Sequence, residues 1–273
     1  MTWQDQYQQD GSAADLFQRY IVPRITSLWG RDLVDRARVR VGEDVLDVAC
    51  GTGVVASLAA EQSCTGRVVG LDLNADMLRV ASGVAHAAGV QVEWCEGSAL
   101  ALPFEEGAFD VVLCQLGLQF FPDKSLALHE MARVLRFGGR LALSVFTGIE
   151  QTPIADAFAN ALDRHLGEGA SSAKRAEHSF SDSNFLAQLA ADAGLKNVVV
   201  VPVTQTIRFP SAHDYVWLQL TATPQARLLS KMLDQERDAL IQAIAEDLTG
   251  ADSVGPSGEV SSAQECNVLT ATR

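Results

Sequence analysis

Residues 45–56 read VLDVACGTGVVA, and no other stretch restricts the fold of this chain as tightly. An aliphatic run enters Gly51-Thr52-Gly53 and a helical pattern leaves it. Glycine tolerates positive φ and lets another group approach the backbone closely, so the segment predicts a strand, a tight turn and a helix in immediate succession. The rhythm then repeats: strand-like runs at 67–71, 90–94, 110–114 and 140–146 alternate with helical stretches at 53–62, 75–88 and 124–136. Strands apolar on both faces and joined by helical crossovers form a parallel sheet covered on both sides. Because such crossovers are right-handed, the expected fold is a doubly wound α/β sheet.

Upstream, residues 1 to about 40 keep helical spacing through Leu16, Tyr20, Ile21, Ile25, Leu28 and Trp29, and Pro23 is expected to break the run in two. Downstream of Phe146 the pattern predicts a helix over 153–166, a loop over 167–180 and a helix over 183–193 that stops at Gly194. A strand over 197–209 follows, then helix from 211 to 248, a turn-rich tail over 249–263 and a last strand over 266–271. Ser211 and Asp214 fit a capping box with Asp in place of Glu. No internal repeat or long linker divides the chain, which reads as one α/β domain with helical additions.

Composition bounds the partners. The net charge of −13 over 273 residues is spread evenly over both halves, and no basic tract interrupts it. Such a chain lacks the electrostatic footprint of a nucleic-acid or anionic-membrane binder. The polar, acidic start has neither a basic opening nor an apolar run behind it, which argues against a secretory signal. No apolar stretch approaches the roughly 20 residues needed to span a bilayer. Five widely spaced cysteines without a C-x-x-C pair read as neither a disulfide framework nor a zinc site. A reduced, cytoplasmic protein without a metal is expected.

The chemistry sits around the glycine turn. Asp72 ends the second strand in GLDLNADML, where a carboxylate can accept hydrogen bonds from both ribose hydroxyls of a nucleoside. The turn and this Asp together predict an adenosine-containing ligand across the carboxyl ends of the strands. Gly51-x-Gly53-x-x-Ala56 also satisfies the dinucleotide pattern, so a nicotinamide oxidoreductase competes on the turn alone. Asp47, inside the first strand, offers nothing to a pyrophosphate; a buried carboxylate there suits a cation or an ammonium donor.

From Asp44 to Phe146 the segments VLDVACGTG, GLDLNADML, EGSALALPF, FDVVLCQLGLQFFPD and HEMARVLRFGGRLALSVF follow one another in order. In these five motifs the chain resembles the class I S-adenosylmethionine-dependent methyltransferases, most closely the branch with the ubiquinone/menaquinone-biosynthesis and many small-molecule enzymes. The resemblance implies a Rossmann-like seven-stranded sheet, mostly parallel with an antiparallel last strand. In it 197–209 is the sixth strand, 266–271 the seventh, and 211–248 an insertion between them. It implies further that 1–40 is a helical lid, 41–148 the S-adenosylmethionine-binding core, and 149–273 the part that completes the sheet and adds substrate-covering helices. Asp47, Ala49, Gly51 and Gly53 would face the methionine part of the cofactor. Asp72 would hold the ribose, Leu73 and Met77 would pack on the adenine, and Gly97, Ser98 and Ala99 would lie at its edge. Cys114 and Gln115 would line the methionine side beside the transferred methyl. Ala49 stands where many relatives have glycine, and Ser98 where an Asp usually accepts from the adenine amino group.

The implied reaction is methyl transfer to a small apolar or aromatic acceptor by in-line SN2 displacement, with S-adenosylhomocysteine as product. Positioning alone can account for roughly 7–11 kcal/mol of such a barrier, so no conspicuous catalytic residue is required. Of the histidines, His86, His129 and His213 read as structural or surface residues. His165 falls on an apolar face with Phe158 and Leu162 and is the candidate base, and His178 lies in a loop. Gln119 and Phe120, with Phe121, follow the fourth strand and are candidate acceptor contacts, as is Tyr215 beside Trp217. The N-terminal helices, with Trp3, Tyr7 and Phe17, fit a lid or an oligomer contact such as a homodimer. Two other readings stand beside methyl transfer: a cofactor binder that transfers no methyl, and the nicotinamide oxidoreductase.

Overall fold

A computed structural model describes residues 12–64, 66–230 and 232–273. Trp3 and Tyr7 lie outside the described residues. The chain divides into two compact units. The first comprises Thr26–Val145, Asp182–Val203 and Cys266–Arg273, and the second holds 12–25, Phe146–Ser181 and Thr204–Glu265.

A seven-stranded sheet runs β1 (Val45–Val48), β2 (Val68–Asp72), β3 (Glu93–Glu96), β4 (Phe109–Gln115), β5 (Leu135–Phe146), β6 (Lys196–Phe209) and β7 (Val260–Thr272) along the chain. Its spatial order is β3-β2-β1-β4-β5-β7-β6. β1 pairs in parallel with β2 and β4, β2 with β3, and β4 with β5. The last strand runs the other way: Arg273 N donates to Gly139 O at 3.0 Å, while Thr147 N donates to Glu265 O at 3.1 Å. Strand order reverses between β1 and β4, and in open α/β sheets ligands bind outside the carboxyl ends at that switch.

The described residues also form helices α1 (Ala13–Leu16), α2 (Ser27–Ala37), α3 (Val54–Ser63), α4 (Ala75–Ala88), α5 (Lys124–Val134), α6 (Pro153–Leu166), α7 (Ser172–Glu177), α8 (Ser183–Asp192), α9 (Ala212–Ala222) and α10 (Asp234–Leu248), and a 3-10 turn, Pro224–Leu229, interrupts the helix expected over 211–248. In the first unit the core packs Leu33, Val34 and Ala37 of α2 and Val55, Ala56 and Ala59 of α3 against Val45, Val68, Val111 and Leu113 of the strands. At the opposite edges of these strands, Arg136 ties the start of the sheet together by donating to Asp44 and to Asp110. In the second unit Tyr215 packs edge-on against Phe158 and Phe209, with ring centroids 5.8 and 5.1 Å away. No helix of the described residues is long and apolar enough to cross a membrane.

Three expectations are corrected. Pro23 does not break the N-terminal run: it lies inside a π-helical stretch, Phe17–Thr26, that joins α1 to α2. Helix survives a missing N–H where the turns widen into π register and neighbours hold the segment. The stretch 167–180 is not all loop, because α7 forms within it after Gly167 and Gly169, both at positive φ. β7 starts at Val260 and takes up part of the tail read as turn-rich. Elsewhere the caps follow the sequence: Ser211 Oγ accepts from Asp214 N at 3.0 Å, and Gly194 follows α8 at φ +85°.

Candidate functional site

The strand-to-helix turn after β1 is built from unusual backbone. Ala49, Gly51 and Gly53 all have positive φ, at 56°, 54° and 83°. Gly51 and Gly53 are there for different reasons. A Cβ on Gly51 would meet nothing within 4 Å, so only the backbone conformation asks for glycine. A Cβ on Gly53 would lie 2.5 Å from Cη2 of Trp94, so packing forbids a side chain as well. Trp94, on β3, fills the space beneath the turn and presses equally on Gly70, whose Cβ would lie 2.4 Å from Cζ3. Gly51→Ala is therefore expected to lower stability by about 1–2 kcal/mol and Gly53→Ala by about 2–4 kcal/mol, read as midpoint shifts in urea unfolding. Equal losses would mean that the Trp94 contact does not limit the turn.

Asp72 braces this turn. Its Oδ2 accepts from Gly51 N at 2.8 Å and its Oδ1 from Asn74 N at 2.9 Å. Gly97 N donates to the Asp72 carbonyl at 3.0 Å, which brings the Gly97-Ser98-Ala99 loop beside it. Ser98 Oγ accepts from Leu100 N at 3.2 Å and so serves its own loop. Leu73 is left 72% exposed next to Asp72, with Met77 half-buried one turn on.

Asp47 is 1% exposed. Its Oδ2 accepts from Ala56 N at 2.9 Å, across the turn, while Oδ1 is buried without a partner among the described residues. Burial, with the negative charge of Asp72 nearby, pushes its pKa up to about 8 despite the Ala56 bond. On the neighbouring strand, Gln115 Nε2 donates to Thr26 O at 2.6 Å and its Oε1 is likewise buried and unpartnered. Burial and the Asp47 charge push the Cys114 thiol up to about 12, so it stays neutral. Gly117 lies close against this group, since a Cβ there would sit 2.8 Å from the Cβ of Ala49 and 3.0 Å from the sulfur of Cys114. Gln119 is buried and Phe120 is 50% exposed.

The first unit thus gathers Asp47, Ala49, Gly51, Gly53, Asp72, Leu73, Met77, Gly97, Ser98, Ala99, Cys114, Gln115, Gln119 and Phe120 at the carboxyl side of β1 to β4. His165 and Tyr215 belong to the second unit. Tyr215 is 1% exposed in its aromatic cluster. His165 is exposed at the end of α6, off the buried face of Phe158 and Leu162, and its Nε2 lies 2.9 Å from Asp247 Oδ2. Sequence reading missed Thr26 and Gly30. A Cβ on Gly30 would come within 3.4 Å of Gln115 Oε1, and a glycine in the middle of a helix is the one local sign of that approach.

The residues fit the methionine end of S-adenosylmethionine. Two orphaned oxygen acceptors at the ends of adjacent strands match an ammonium group, which only donates. A pyrophosphate would meet a carboxylate there instead.

This fold and this turn define the Rossmann-like methyltransferase class. The model of the ubiE/COQ5 methyltransferase family matches residues 12–210, and the chain belongs to that family. A demethylmenaquinone methyltransferase of Thermus thermophilus is 40% identical over 132 residues, covering 48% of this chain and 60% of the relative. The ubiquinone/menaquinone biosynthesis C-methyltransferase UbiE of an Enterobacter species is 36% identical over 191 residues, covering 64% of this chain and 74% of the relative. The chain spans 55–60% of the length of the first curated relatives it matches. Among solved structures, the YcgJ protein of Bacillus subtilis superposes with a TM-score of 0.63 at 22% identity, over 90% of this chain and 98% of that one. Family membership favours the methyltransferase reading of the Gly51–Gly53 turn over the dinucleotide one.

Proposed function

We propose that the protein is an S-adenosylmethionine-dependent methyltransferase acting on a small apolar or aromatic molecule. The observation that carries the reading is the pair of buried oxygens, Asp47 Oδ1 and Gln115 Oε1, without a partner among the described residues, at the switch point of a ubiE/COQ5-family sheet. When bound, the cofactor supplies an activated sulfonium methyl. The chain's own residues then have three tasks. Asp47 and Gln115 accept from the cofactor's ammonium group. Asp72, already fixed by Gly51 and Asn74, offers its remaining lone pairs to the ribose hydroxyls. Leu73 and Met77 supply apolar contact for the adenine, which accounts for leaving a leucine in solvent. Gln119 and Phe120, after β4, are the acceptor contacts in this reading, and the name of the Enterobacter relative, a C-methyltransferase, favours carbon as the methylated atom.

Calorimetric titration with S-adenosylhomocysteine, with NAD as the parallel ligand, tests the cofactor. Micromolar binding of the first and no heat from the second is expected. Binding of NAD alone would return the turn to the oxidoreductase reading. Binding of S-adenosylhomocysteine without methyl transfer to any small acceptor would favour a protein that uses the cofactor without transferring its methyl.

A further inference from the structure

With the ribose on Asp72 and the base over Leu73, the far edge of the base reaches the loop that follows β3. That loop is tied to Asp72 itself, by the bond from Gly97 N to the Asp72 carbonyl at 3.0 Å. A Cβ on Gly97 would lie 3.0 Å from Cδ1 of Leu71, so the loop sits close against β2. It then turns at once: Ala101 N donates to Ser98 O at 3.1 Å, and Leu100 N donates to Ser98 Oγ at 3.2 Å. Ser98 and Leu73 each stand one residue beyond the Gly97–Asp72 bond. Leu73 is exposed and Ser98 half-buried, so both are open to a ligand.

The carboxylates around the loop are engaged elsewhere. Asp72 holds the Gly51 and Asn74 amides. Glu130 accepts from Leu102 N and from Arg133 Nε, both at 2.7 Å. Glu96 is exposed and in register with Asp72, on the ribose side of the loop. Ser98 is left to meet the base, with a neutral hydroxyl that has one hydrogen and two lone pairs. Leu100 N takes one lone pair, and accepting that bond polarises the O–H and strengthens it as a donor. Its hydrogen has no acceptor among the described residues. Adenine offers two groups on this edge: a 6-amino group, which only donates, and N1, which only accepts. A carboxylate would suit the amino group, whereas a hydroxyl with a hydrogen to give suits N1.

We infer that Ser98 donates its hydroxyl hydrogen to N1 of the cofactor's adenine and sets the base specificity of the site, while the 6-amino group is left to solvent. The protein therefore selects a purine by its ring nitrogen and takes cofactors whose 6-amino group has been removed. This inference rests on the S-adenosylmethionine reading and adds to it which atom of the base is recognised.

Competition calorimetry on the full chain compares S-adenosylhomocysteine with two analogues, one lacking the 6-amino group and one with carbon in place of N1. The wild type is expected to bind the deaminated analogue within about threefold of the parent, because no bond to the protein is lost. The 1-deaza analogue should bind about tenfold more weakly, the worth of one neutral hydrogen bond. Ser98→Ala should bind the parent and the 1-deaza analogue alike, and Ser98→Thr, which keeps a hydroxyl, should keep the wild-type order. Ser98→Asp accepts from the amino group and cannot donate to N1, so it should disfavour the deaminated analogue by about tenfold or more. The wild-type comparison needs no variant and decides the matter even where a variant fails to fold. A tenfold loss on removing the amino group would overturn the inference and pass the base to another acceptor, Glu96 first. Equal binding of the 1-deaza analogue by the wild type, or a preference for N1 that survives in Ser98→Ala, would overturn it as well. If the wild type binds none of the three ligands, the cofactor reading itself falls, and this inference with it.

Discussion

Replacing Asp47 with asparagine is expected to weaken S-adenosylhomocysteine binding about 100-fold, since a bond between a charged acceptor and an ammonium is worth roughly 1.5–3 kcal/mol. The isosteric amide still accepts from Ala56 N through its oxygen, so the turn is retained. The pH dependence identifies the cause. Asp47 holds its proton up to about pH 8 in the folded, ligand-free chain but releases it near 4 when unfolded. The folded state therefore binds more protons between these values, and stability contributed by Asp47 falls as pH rises through that window, by at most about 1.4 kcal/mol per unit. Above pH 8 the loss is complete. Relative to Asp47→Asn, the wild type should lose stability steadily from pH 4 to 8 in urea unfolding. Ligand affinity should run the opposite way: the ammonium selects the ionised carboxylate, so wild-type binding tightens toward pH 8 while that of Asp47→Asn stays flat. A wild-type affinity that does not change with pH would remove the ammonium from this site.

Asp72→Ala should be the most damaging single change to cofactor binding, with at least a 100-fold loss by calorimetry and about 1–3 kcal/mol of stability. Both losses have one source. The carboxylate holds the Gly51 and Asn74 amides, so its removal frees the glycine turn as well as the ribose contact. Asp72→Asn separates the two: its oxygen can keep one amide bond, and stability should recover more than affinity does. Equal recovery of both would reduce Asp72 to a structural brace.

The sheet was legible because its signals are local. β1, β2, β4, β5 and β6 each carry an aliphatic run, and the β1 turn announces itself by Gly51 and Gly53. Asp47, Asp72 and Gln115 of the candidate site were legible for the same reason, since they sit in or at the end of strands. What escaped depends on partners far along the chain. Thr26 joins Gln115 through its carbonyl, a group no side-chain pattern reveals. Pro23 carries a local signal for a break, and the packing of Tyr20, Val22 and Ile25 overrides it. His178 read as one loop histidine among five, because its burial comes from Phe146 and Thr147 some thirty residues earlier. His165 misled in the opposite sense: helical spacing put it with Phe158 and Leu162, but the helix ends at Leu166 and the ring turns to Asp247.

The close seating of Trp94 under Gly53 and Gly70 gives the chain an optical property at its glycine turn. An indole in contact with that backbone, half-buried at the mouth of the sheet, emits according to how the turn is packed and wetted. Trp29, fully buried against the sheet, supplies a steady background within the same unit. The protein therefore carries its own fluorophore where the cofactor is proposed to bind, and occupancy can be followed by light from an unlabelled, unmodified chain.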